Sequence, residues 1–74
     1  MYRFILKDMY GKHMYEGDTV KYTVGDYDYA VGKLVFFSGI WLGLECEDGR
    51  RITFTPYEIS SEDFELLLSE EYED

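Results

Sequence analysis

Apolar and polar positions alternate along most of this chain. From Tyr2 to Lys7, Tyr2, Phe4 and Leu6 are set against Arg3, Ile5 and Lys7, a period of two that predicts a strand with one buried face. Asp8-Met9-Tyr10-Gly11-Lys12 reads as a turn. Alternation resumes from Asp18 to Val24, with Val20, Tyr22 and Val24 on one side and Thr19, Lys21 and Thr23 on the other. Gly25-Asp26-Tyr27-Asp28 is a polar loop, and Tyr29 to Phe37 is a long apolar strand. Gly32 in its middle predicts a bulge or sharp bend of the kind a small barrel needs to close. Ser38-Gly39 leads tightly into a strand from Ile40 to Glu47. Asp48-Gly49 is a dipeptide suited to a two-residue type I′ hairpin turn, in which both central residues need positive φ. Arg50 to Thr55 returns with Ile52 and Phe54 inward, and Pro56 closes the run of strands.

The period changes after Ile59. Phe64, Leu67, Leu68 and Tyr72 fall at i, i+3, i+4 and i+8, one apolar stripe of a helix. Ser60 or Ser61 would cap it, and Glu62 and Asp63 would suit its positive N-terminal end. The pattern as a whole predicts a mainly β fold: a small SH3-like antiparallel barrel of about five strands over residues 1–59. A short acidic C-terminal helix over 60–74 is expected to pack on it, making one domain overall.

Composition narrows what such a chain does. Its 74 residues are 46% hydrophobic and 19% aromatic, too apolar for disorder. A chain of this length buries only about 60% of the surface its unfolded form exposes, so Tyr and Phe must fill much of the core. One cysteine excludes an internal disulfide, and one cysteine with one histidine argues against a zinc site. Met1 to Lys7 has no long apolar run, and no stretch approaches the roughly 18 apolar residues of a membrane span. The expectation is a soluble, cytoplasmic protein.

The net charge of −9 is unevenly distributed. Residues 58–74 hold Glu58, Glu62, Asp63, Glu65, Glu70, Glu71, Glu73 and Asp74 and no Lys or Arg, so they carry −8. The first 57 residues hold the other eight acids and all seven basic residues, a net −1. Unaided nucleic-acid binding is disfavoured, because that affinity comes from clustered Lys and Arg. An acidic segment can instead repel phosphate, aid solubility or dock on a basic surface.

The stretch Gly11-Lys12-His13-Met14-Tyr15-Glu16-Gly17-Asp18-Thr19-Val20-Lys21 resembles the signature of YopX-like phage proteins, Gly-Lys-x-Ile-Tyr-Glu-Gly-Asp-x-Val. Gly32-Lys33-Leu34-Val35-Phe36 and Ser38-Gly39-Ile40-Trp41-Leu42-Gly43-Leu44 are similar to its continuation, so the likeness covers roughly residues 6–44. It implies a β-rich protein of a bacteriophage or prophage, and so the bacterial host cytoplasm as its location, and implies no biochemical activity. The longer N-terminal region of that family is absent here, and the acidic end lies outside the pattern. The motif also makes structural sense: Gly17 can take positive φ, and Asp18 can bond backbone amides in the turn before Val20 starts its strand.

Catalytic chemistry is hard to find. His13 is the only imidazole, there is no Gly-x-Ser-x-Gly elbow and no phosphate-binding glycine loop, so no catalytic residue is assigned and no enzyme is expected. Glu45, Glu47 and Asp48 read as a solvated edge. Asp26-Tyr27-Asp28-Tyr29 begins like a calcium loop, but Ala30 replaces the third ligand and the closing Glu is missing. No metal or cofactor is expected. Cys46 lies between Glu45 and Glu47, which would raise its pKa, and reads as a buried filler. Trp41, beside Leu42 and Leu44, reads as core.

Tyrosines interleaved with acids supply rigid, amphipathic contact area. The expected function is therefore that of a small acidic inhibitor, which occupies a basic nucleic-acid-binding surface of a host protein as a nucleic-acid mimic would. Its expected partner-binding residues are Asp26, Tyr27, Asp28, Tyr29, Glu62, Asp63, Glu65, Glu70, Glu71, Glu73 and Asp74. The alternative is a structural module that homo-oligomerises through the barrel edges. Direct nucleic-acid binding through Lys21, Lys33, Arg50 and Arg51 is a third reading, opposed by charge.

Overall fold

A computed structural model, which describes residues 3–55, 57 and 59–69, arranges the alternating segments as seven strands. These are β1 (Phe4–Lys7), β2 (His13–Tyr15), β3 (Thr19–Val24), β4 (Asp28–Phe37), β5 (Trp41–Cys46), β6 (Arg51–Thr53) and β7 (Phe64–Leu68), with one 3-10 turn at Ser61–Asp63. All pairings are antiparallel. β1 and β2 form a hairpin, and the other five strands form one sheet in the order β6-β5-β4-β3-β7.

The side chains that alternation places inward build the core. Register sets Val20 opposite Gly32, Tyr22 opposite Ala30, Leu34 opposite Leu44, and Gly32 opposite Cys46. These positions share one face of the pleat. Val20, Ala30, Leu34, Leu44, Cys46, Phe54 and Phe64 are buried there, and Met14 of β2 joins them from the hairpin. Tyr22, Phe54 and Phe64 form a three-ring cluster with centroids 4.9 to 5.5 Å apart, a spacing favourable for aromatic pairs.

The expected barrel does not form. β6 and β7 are the two edges and are not paired with each other, so the sheet is open, and the SH3-like description does not hold. The β1–β2 hairpin covers the inner face where closure would otherwise be needed. Met14 is fully buried, with Ile5 and Leu6 packed against the same core. Gly32 makes no bulge either, since the β3–β4 and β4–β5 registers run through it without a shift. A Cβ at this position would collide with the Glu45 carbonyl and the Cys46 Cα, so the glycine permits close approach of β5.

Among the described residues the expected C-terminal helix does not form either. The Ser60 side chain accepts a hydrogen bond from the Glu62 N–H (3.4 Å) and caps a single 3-10 turn. At Phe64 the backbone is already extended (φ −119°, ψ 144°), and β7 pairs with β3. Phe-Glu-Leu-Leu-Leu fits a strand as well as a helix, and the free edge of β3 decides the matter by offering backbone partners. Tyr72, the last residue of the expected stripe, lies outside the described residues.

Two turns exchange roles. Ser38 (φ 54°) and Gly39 (φ 75°) supply the consecutive positive φ values expected at Asp48-Gly49. Between β5 and β6 only Gly49 is positive (φ 95°); its N–H bonds the Cys46 carbonyl, and the Cys46 N–H bonds the Arg50 carbonyl. That is a three-residue loop with a glycine bulge. In β1 the pairing slips between Phe4 and Leu6, leaving Phe4 exposed against the rings of His13 and Tyr15.

Asp8 and Asp18, both buried, tie the remaining turns down. Gly17 has φ 96°, and the Asp18 carboxylate accepts the Tyr15 N–H at 2.9 Å, as the turn motif requires. Asp8 accepts the N–H groups of Tyr10 (2.9 Å), Lys12 (2.8 Å) and, from the outer edge of β7, Leu66 (2.9 Å). The Met9 N–H bonds the Phe64 carbonyl on the same edge.

Candidate acidic interface

In an up-and-down run of strands, alternate connections emerge at the same end. The β3–β4 loop, carrying Asp26, Tyr27 and Asp28, therefore shares one end of the sheet with the β5–β6 loop, carrying Glu47 and Asp48. The register confirms this: the Glu47 N–H bonds the Val31 carbonyl, and Tyr29, Ala30 and Val31 line a shallow cavity with Glu47, Asp48 and Arg50. β7 begins with Phe64 opposite Tyr22, so Glu62 and Asp63, just before it, lie beside the end of β3 that leads into the Asp26 loop. Three separate loops thus gather Asp26, Asp28, Glu47, Asp48, Glu62 and Asp63 at one pole.

The pole also holds a cation, Arg50. The Arg50 guanidinium bonds Asp48 (Nε to Oδ2, 2.8 Å), and the Arg50 N–H bonds the other carboxylate oxygen (3.0 Å). That backbone bond, with the guanidinium beside it, holds Asp48 below the ordinary carboxylate range, so it is ionised at neutral pH. Among the described residues no group of three His, Cys, Asp or Glu side chains is placed to hold a metal ion. The pole is an extended charged surface. Tyr27, 95% exposed, stands at its tip, and Tyr29 is exposed beside it with the Lys21 ammonium 4.7 Å from its ring centroid.

The structure brings together part of the expected set and separates the rest. Asp26, Tyr27, Asp28, Tyr29, Glu62 and Asp63 share the pole. Glu65 sits mid-strand opposite Lys21. Glu70, Glu71, Glu73 and Asp74 lie outside the described residues, as do Pro56 and Glu58. The last strand pair puts Leu68 opposite Thr19, so the chain reaches residue 69 at the end of the sheet away from the pole. Glu47 and Asp48 were legible only as a solvated edge. Their signal was topological, two hairpins one strand apart.

Other candidate groups also resolve. Cys46 is buried, and burial pushes its thiol up, with the Arg50 charge opposing and Asp48 adding. Trp41 is 61% exposed at the β4–β5 hairpin, contrary to its expected core position. Its side of the pleat is the one turned from the core, where it is paired with Phe37. Lys21, Lys33 and Arg51 share that outer face with Glu45 and Glu65, which stand opposite them in register. Among the described residues no helix is long and apolar enough to cross a membrane. No protein-family model, no curated protein and no solved structure matches the chain.

Proposed function

We propose that this protein is a non-enzymatic inhibitor that uses its acidic pole to occupy a basic, nucleic-acid-binding surface of a partner protein. The observation that supports this reading is the convergence of Asp26, Asp28, Glu47, Asp48, Glu62 and Asp63 from three loops around the exposed Tyr27 and Tyr29. Asp48 bonds Arg50 and so has a structural role, but like charges gathered at one end repel one another, and stability does not explain the placement of the other five. A surface of clustered Lys and Arg is its electrostatic complement, and the tyrosines add rigid contact area. The setting in a bacterial cytoplasm rests on the resemblance of residues 11–21 to phage proteins.

The test is capture of nucleic-acid-handling proteins from a bacterial lysate, with DNA as competitor. Wild type is compared with two charge-reversed variants, Asp26→Lys/Asp28→Lys and Glu62→Lys/Asp63→Lys. The expected result is a partner displaced by DNA and bound at least about tenfold more weakly by each variant, a change of about 1.4 kcal/mol. Undiminished binding by both folded variants rejects the reading.

A further inference from the structure

The two outer edges of the five-stranded sheet are finished differently. The outer edge of β7 is covered, because the Leu66 N–H goes to the Asp8 carboxylate and the Phe64 carbonyl takes the Met9 N–H. β6 forms the other edge. Its inner side is bonded to β5: Ile52 stands opposite Leu44, the Cys46 N–H bonds the Arg50 carbonyl (2.9 Å), and the Phe54 N–H bonds the Leu42 carbonyl (2.9 Å). Backbone groups alternate sides along a strand, so the N–H and C=O of Arg51 and Thr53 point away from β5. Among the described residues these outward groups have no backbone partner, and both residues are exposed. Short length and charge blunt many edges. Here the bonds to β5 run from Arg50 to Phe54. The Arg51 guanidinium is turned onto the outer face, 5.7 Å from the Phe37 ring centroid, with Glu45 opposite in register. The edge itself stays clear.

We infer that this edge pairs with the same edge of a second copy of the chain, antiparallel about a two-fold axis at Ile52. The two five-stranded sheets then become one continuous sheet. In that register Arg51 of each copy faces Thr53 of the other, and the two residues exchange both of their outward N–H to C=O bonds. Ile52 meets its own copy across the axis on the core side, where it already packs against buried residues, so the centre of the contact is apolar. The edge is complementary to itself, which is why the occupant is the same chain. Ile52 and Thr53 are β-branched, as a pleated strand favours, and no like charges stand directly opposite one another. A register centred on Arg51 would set guanidinium against guanidinium and is disfavoured. The axis also reverses strand direction. Each β5–β6 loop, with Glu47 and Asp48, lies beside the Thr55 end of the other copy, so the two acidic poles are kept apart. Both β6 edges are used in the contact and both β7 edges are covered, so assembly closes at the dimer.

Sedimentation equilibrium up to about 1 mM, the weak end of specific association, tests the inference together with amide hydrogen exchange. Wild type is compared with Thr53→Pro. The Thr53 N–H points outward, so proline there removes no bond within the sheet and removes one bond of the dimer. A thermal melt checks that the variant folds. The expected wild-type mass rises to the dimer and no further, and folded Thr53→Pro stays monomeric. Protection of the wild-type Arg51 and Thr53 amides should rise at least about fivefold between about 10 µM and about 1 mM, while the Tyr27 amide at the pole is unchanged. A wild type that stays monomeric, or that grows past the dimer, overturns the inference. So does exchange at Arg51 and Thr53 that ignores concentration, or a folded Thr53→Pro that dimerises like wild type. Should Thr53→Pro not fold, the wild-type mass and exchange decide alone. Thr53→Pro leaves the acidic loops intact, so it should still capture the proposed partner, and the two readings fail independently.

Discussion

Asp8 shows how one side chain can hold distant parts of a small chain together. It is only 3% exposed and accepts three backbone N–H groups, the last of them from Leu66, 58 residues away in sequence. Burial alone would raise its pKa, but the N–H groups of Leu66, Lys12 and Tyr10, with the Lys12 charge, outweigh it and hold the carboxyl below its ordinary value of 3.8. A depressed folded pKa stabilises the fold above the ordinary value, and that contribution is lost as pH falls through the folded value. Asp8→Ala leaves the Leu66 N–H without its acceptor and should cost about 2–3 kcal/mol in urea unfolding at neutral pH. Asp8→Asn keeps an acceptor oxygen but no charge. Its stability should fall less steeply than wild type below about pH 4, read from denaturation midpoints across the acid range.

At the scale of elements, β7 carries the clearest consequence. Phe64 is fully buried in the ring cluster with Tyr22 and Phe54, and its strand supplies the partner for one edge of β3. A chain ending at Ser60 loses both and should fail to fold, whereas one ending at Ser69 should keep the wild-type near-ultraviolet signal. Had residues 60–74 formed an appended helix, the shorter chain would have remained folded. Gly32 makes a second prediction: Gly32→Ala drives a methyl group into the Glu45 carbonyl and should destabilise by about 2–4 kcal/mol, measured by urea unfolding. A bulge glycine in an open bend would have tolerated the change more easily.

Across the whole molecule, the described part has an acidic pole at one end of the sheet and an apolar groove at the other. The repulsion at the pole opposes folding. Asp26→Lys/Asp28→Lys should therefore raise the melting temperature by a few degrees at low ionic strength, and the gain should shrink as salt screens the charges. A variant more stable than wild type and weaker in binding would place these acids on the side of function. A melting temperature lowered at low salt would show that the pole contributes to the fold.

The sequence by itself determined the β3, β4, β5 and β6 strands, because a period of two with turn residues between is a local signal. It also determined the Gly17-Asp18 turn, which depends on neighbours in the chain. Only the tertiary structure decided that Phe64–Leu68 is a strand, since the stripe fits two periods and the unpaired edge of β3 selects one. It alone decided that the sheet stays open, because the β1–β2 hairpin covers the core face that closure would have buried. The acidic pole belongs to the same class. Asp26, Glu47 and Glu62 are far apart in the chain, and antiparallel register is what brings their loops to one end.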